Sequence, residues 1–119
     1  MADYLPLYNP GTAVTFTSSA DVVGGRLVEI TGDRTVAHAA AGSAKVAGIA
    51  GFDAADGELV TVYSSGVQRP TAAGAIAAGD SVEAAADGKV AVASTGTKIG
   101  LALAAAADGE TVQVRFHLA

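Results

Sequence analysis

From Ala13 onward the apolar residues come in short Val- and Thr-bearing runs, separated by Gly, Asp and Ser. That pattern is the signature of an all-β chain. Strands are predicted near 13–17, 26–30, 34–38, 45–50, 59–64, 66–69, 81–84, 89–93, 98–103 and 111–118. The last is the clearest, because Val112, Val114, Phe116 and Leu118 alternate with Gln113, Arg115 and His117 and so divide into one apolar and one polar face. Turns fall at Gly32-Asp33, Asp56-Gly57, Asp87-Gly88 and Asp108-Gly109, residue pairs that tolerate positive φ in tight connections. Alanine-rich stretches at 37–41, 72–78 and 102–107 have high helix propensity. Each is interrupted by Gly or runs into Asp-Gly, and helices that short are marginal, which leaves room for at most one short helical turn, around 72–78.

The pattern also repeats. Residues 48–62, GIAGFDAADGELVTV, return as residues 100–114, GLALAAAADGETVQV, at an offset of 52. Gly48, Ala50, Ala54, Ala55, Asp56, Gly57, Glu58, Val60 and Val62 meet identical partners, ending at Val112 and Val114. Upstream, LVEITGDRTVA (27–37) aligns with SVEAAADGKVA (81–91) at an offset of 54. Two similar β units, about 22–67 and 76–118, are therefore expected, joined through Gln68 to Ala75 and packed on each other or on neighbours. The fold class is all-β, a compact β-sandwich or barrel-like domain over 13–119 with an internal duplication, preceded by an extended arm over 1–12.

Composition restricts the core material and the partners. Alanine occurs 28 times among the 119 residues while aromatics make up 5% and tryptophan is absent, so the interior gains less apolar burial per residue than one built of Leu and Phe. Help from self-association is expected. A net charge of -5 with scattered basic residues argues against nucleic acid as a partner. The absence of cysteine removes disulfides, thiolate metal sites and cysteine nucleophiles, in keeping with synthesis in a reducing cytoplasm. No run approaches the roughly 20 apolar residues of a membrane helix, and the first residues lack the basic and apolar regions of a secretory signal.

Candidate chemistry is sparse. His38 and His117 are the only histidines, too few for a histidine metal site without carboxylates that the sequence cannot place. Asp56-Gly57-Glu58 lacks the alternating oxygen ligands of a calcium loop. Lys89 follows Asp87-Gly88 as the modified lysine of lipoyl and biotinyl domains follows a turn, but its neighbours Gly88 and Val90 are not those of such domains. Gly42-Ser43-Ala44-Lys45 and Gly96-Thr97-Lys98 lack the P-loop tail, and no GxSxG elbow surrounds Ser64, Ser65 or Thr95. No catalytic residue, cofactor or metal site is expected. What needs a partner is the arm, where Pro6, Pro10 and Gly11 hold Tyr4, Leu5, Leu7 and Tyr8 extended. Tyr4, Leu5, Pro6, Leu7 and Tyr8 are the candidate contact residues.

The segments AGAIAAGDSVEAAADGKVAV (73–92) and IGLALAAAADGETVQVRFHL (99–118) resemble the small capsid decoration proteins of tailed phages, of the DUF2190 type. The resemblance covers the chain from about Gly11 on. It implies a structural, non-enzymatic virion protein, made in the host cytoplasm, that forms a homotrimer on the outside of the head at three-fold or quasi-three-fold sites. There it would bind the major capsid protein and cement the shell against the pressure of packaged DNA. The residues alone also admit a carbohydrate- or host-binding β module of a phage fibre or surface layer, which would need an aromatic platform drawn from Tyr4, Tyr8, Phe16, Phe52, Tyr63 and Phe116.

Overall fold

The computed structural model describes residues 13–117. Ten strands follow in order: β1 (Val14–Ser18), β2 (Leu27–Gly32), β3 (Thr35–His38), β4 (Val46–Ala50), β5 (Leu59–Tyr63), β6 (Val67–Gln68), β7 (Ser81–Ala84), β8 (Val90–Val92), β9 (Lys98–Ala102) and β10 (Val114–Phe116). The first five close into a barrel in the order β1-β3-β2-β4-β5. Closure depends on β1, which pairs in parallel with β3 through Thr17↔Thr35 and Ser18↔Val36 and antiparallel with β5 from Val14↔Val62 to Thr17↔Leu59. The other five form a sheet in the order β6-β10-β9-β7-β8.

The second sheet repeats the pairing of the barrel. In the barrel Leu27 faces Ile49 and Val28 faces Gly48, after which the register slips so that Glu29 faces Val46. In the sheet Ser81 faces Leu101, Val82 faces Gly100, and the same slip brings Glu83 to Lys98. Ala50↔Val62 is matched by Ala102↔Val114, and the isolated bridge Val22↔Ala54 by Ile76↔Ala106. Both slips keep glycine on the partner strand for a steric reason. A Cβ on Gly48 would strike the Tyr63 carbonyl, and one on Gly100 would lie 2.6 Å from the Arg115 carbonyl.

This equivalence starts earlier than the sequence echo. Val114↔Gln68 stands where Val62↔Val14 stands in the barrel, so β6 occupies the place of β1. The parallel contact of β1 with β3 recurs as a single bridge, Ala72↔Val90. The segment 68–75, expected as a connection, thus carries the end of β6 and two isolated bridges, at Thr71 and Ala72.

Two apolar clusters fill the interior. The barrel encloses Val22, Val28, Val36, Ala50, Ala54, Val60 and Val62, all from its own strands and loops. The second cluster, around Ile76, Val82, Val90, Ile99, Val112, Val114 and Phe116, also takes in Leu27, Ala39 and Ile49 from the outer face of the barrel. Full burial of each such valine or leucine stabilises by about 1.5–3 kcal/mol. The barrel therefore has a core of its own, and the second unit borrows part of its core from the first.

The structure decides two local points. Residues 72–78 form no helical turn, since the Ala72 and Ile76 amides donate to Glu110 and Ala106 instead of to their own segment. The one helical feature among the described residues is a 3₁₀ turn at Ala86–Gly88, in the β7–β8 connection. The final strand is three residues long, shorter than its alternation suggested. Thr111 bridges Thr71 and the Val112 amide donates to the Pro70 carbonyl, so this stretch leaves β9 and follows the chain beyond β6.

Candidate functional site

Because two units share one pairing scheme, each serves as a control for the other. Residues that recur are needed for the fold; exposed apolar residues found once need another explanation. Three of these lie at neighbouring places on the barrel. Val23, Phe52 and Tyr63 are 43%, 50% and 44% exposed, and by register their counterparts are Ala77, Ala104 and Arg115.

The local backbone holds these residues in place. Val22 and Ala54 exchange two backbone hydrogen bonds of 2.8 and 2.9 Å, and the Gly24 amide donates to Asp53 Oδ1 at 2.8 Å, clamping the loop that carries Val23 against the loop that carries Phe52. Tyr63 ends β5, one residue beyond the Val62 that faces Val14 at the start of β1. An open cleft of about 220 Å³ adjoins Tyr63, with Gly25, Ile49 and Gly51 on the barrel side and Gln68 and Arg69 from the start of the second unit. A patch with two aromatics and one cation beside it suits binding to another protein surface.

Ionisable side chains mostly tie loops. Glu58 Oε1 accepts the Ala55 amide at 2.8 Å, and its counterpart Glu110 accepts the Ala107 amide at the same distance. Glu29 Oε1 accepts the Ala40 amide at 2.6 Å, and its counterpart Glu83, buried, accepts both the amide and the hydroxyl of Ser94 at 3.0 Å. His38 Nε2 accepts the Val23 amide at 2.9 Å, which requires a neutral ring with its proton on Nδ1. Burial lowers the His38 pKa, the nearby Arg26 charge lowers it further, and Asp87 partly opposes them. Among the described residues no group of three or more His, Cys, Asp or Glu stands together as a metal site. His117 is exposed just beyond β10, and Lys89 is half-buried at the start of the β8 hairpin arm.

The predicted contact residues Tyr4, Leu5, Pro6, Leu7 and Tyr8 lie outside the described residues. Phe52 and Tyr63 entered the sequence reading only as members of the aromatic inventory. The signal that singles them out is a break in the echo, where a large apolar residue in one copy faces alanine or arginine in the other.

Among curated proteins no relative matches the chain. Among solved structures, the N base of the head fibre gp8.5 in bacteriophage phi29 is similar with a TM-score of 0.75 and 24% sequence identity, over 91% of this chain and 95% of that chain. That likeness is one of fold. The profile of the phage cement proteins matches residues 8–118, nearly the full length and both units. With this match over an all-β frame, the chain belongs to the phage cement protein family and is a structural, non-enzymatic component of the phage head.

Proposed function

We propose that the protein decorates the outer surface of an assembled capsid as a homotrimer at three-fold or quasi-three-fold sites, where it binds the major capsid protein and stabilises the shell. The observation that carries this reading is the unpaired exposure of Val23, Phe52 and Tyr63, apolar area that the fold itself does not call for, since the second unit does without it. Tyr63 follows Val62, which pairs with Val14, so β1 begins beside the same patch. Tyr4, Leu5, Pro6, Leu7 and Tyr8 would extend the apolar contact along the shell, by strand addition or by seating side chains in pockets. A small-residue core, with little apolar area to offset chain entropy, fits a subunit that gains stability from its neighbours.

Co-sedimentation tests the proposal. The purified chain should pellet with mature, expanded heads and remain in solution with unexpanded procapsids, while Phe52→Glu should weaken head binding at least tenfold without lowering the melting temperature. Binding that Phe52→Glu leaves intact would remove the patch from the interface. Failure to pellet with any head would remove the decoration role.

A further inference from the structure

The two units touch in a one-sided way. Leu27 and Ile49, a facing pair on β2 and β4, are 0% and 4% exposed because the second unit covers them. The covering surface comes from the β7–β8 hairpin. The Gly88 amide donates to the Ala39 carbonyl at 3.1 Å, the Ala84 carbonyl accepts the Gly42 amide at 2.8 Å, and Ala84 is 2% exposed. At Gly88 the approach is so close that a Cβ would lie 2.6 Å from the Leu27 carbonyl.

The same two surfaces exist a second time, uncovered. The counterparts of Leu27 and Ile49 are Ser81 and Leu101, a facing pair that is only partly buried. The counterpart of Ala84 is Ile30, 36% exposed on the β2–β3 hairpin. A face that docks on a hairpin inside the chain is therefore present on the second unit without a hairpin, and the first unit carries a hairpin without a face. Contacts of this kind are heterologous, and when the rotation closes they form a ring.

We propose that a second copy of this chain docks its β2–β3 hairpin, at Ile30, on the Ser81–Leu101 face, continuing the contact made within each chain from head to tail around a closed ring. This deepens the self-association proposed above by naming its surfaces, and rests on it. The intermolecular contact exchanges Leu27, Ile49 and Ala84 for Ser81, Leu101 and Ile30, and it differs most at the hairpin tip. Arg34 stands where Gly88 stands, so the hairpin tip sits further out there. Arg26, whose Cβ lies 3.0 Å from the position a Gly88 Cβ would take, has Asp80 as its counterpart, so the second contact sets an acid opposite Arg34. That charge complementarity adds to the partners Arg34 has within its own chain, where it donates to the Thr15 carbonyl and lies over the Phe16 ring.

Sedimentation velocity and native mass measurement on the full chain test this with two variants and their mixture. Wild type should form a closed oligomer, whereas Leu101→Arg and Ile30→Glu should each be monomeric. Mixed in equal amounts, the two should recover one contact, the intact face of the Ile30→Glu chain docking on the intact hairpin of the Leu101→Arg chain, and give a dimer and nothing larger. Recovery on mixing also shows that both variants are folded; Ser81→Arg repeats the face variant at the facing position. A wild-type oligomer that the variants leave intact, or variants that fail to pair when mixed, would overturn the docking surface while leaving self-association standing. A wild type that stays monomeric at all concentrations would overturn both.

Discussion

Gly88 and Arg34 occupy the same place in two hairpins, both with positive φ, of 72° and 50°. Arg34 bears a side chain in that left-handed region, whereas at Gly88 a side chain would meet both the strain of the positive φ and the Leu27 carbonyl, 2.6 Å from its Cβ. Gly88→Ala is expected to cost about 1–3 kcal/mol through forced displacement at the junction of the units, read as a lower urea midpoint. No loss would mean that the junction yields freely. His38 adds a pH dependence whose sign follows from its environment. Its folded pKa is depressed by burial and by Arg26, so the unfolded chain takes up a proton at higher pH than the folded one does. Its contribution is fully present above the ordinary histidine value of about 6.5 and is lost as pH falls from there through the folded value. His38→Gln keeps an acceptor for the Val23 amide, and the drop in melting temperature between about pH 7.5 and about pH 5 should shrink in this variant relative to wild type. Equal drops would show that His38 is not the group responsible.

At the scale of elements, the barrel encloses a cluster made only from the first unit while the second cluster incorporates Leu27, Ala39 and Ile49. A fragment of residues 66–119 should therefore lack a cooperative melting transition, and adding a fragment of residues 1–65 should restore one by supplying the missing face. A folded 66–119 fragment would show that the borrowed residues are dispensable. Much of this level was legible in the sequence. Short Val-bearing runs between Asp-Gly turns placed every strand to within a few residues, because alternation reports burial and burial decides strands. The closing parallel contact of β1 with β3 was not legible, since nothing in side-chain periodicity says which strand lies alongside. Nor was the late start of β10. Val112 keeps its buried place in the alternation while its amide turns to Pro70, and periodicity registers only the side chain.

For the whole molecule, residues 2–10 are expected to matter for attachment and little for folding, because the barrel closes from Val14 onward. Deleting them should leave the melting temperature within about 2 °C, a shift of a few tenths of a kcal/mol, while greatly reducing co-sedimentation with mature heads. Undiminished pelleting would show that the arm is not the anchor. The echo revealed the duplication but not its most informative product. Unequal positions such as exposed Phe52 and half-buried Ala104 read as ordinary drift until the registers place them at the same point of the same loop.

Tandem copies of one pairing scheme bring a hazard during synthesis, since a strand from the second copy can thread into the first and trap the chain. Pro70 bears on that hazard. It stands where Phe16 stands in β1, opposite Val60 and in the same ladder phase as the Ser18 amide that donates to Glu58. A β6 segment misthreaded into the barrel would bring no N–H to that position, leaving a buried carbonyl unmatched at a cost of about 1–3 kcal/mol. In its own place Pro70 is the acceptor for the Val112 amide. Pro70→Phe should accordingly increase the fraction of chains caught in slow-refolding or interlinked species after dilution from denaturant. Unchanged refolding yields would show that the imino acid has no such proofreading effect.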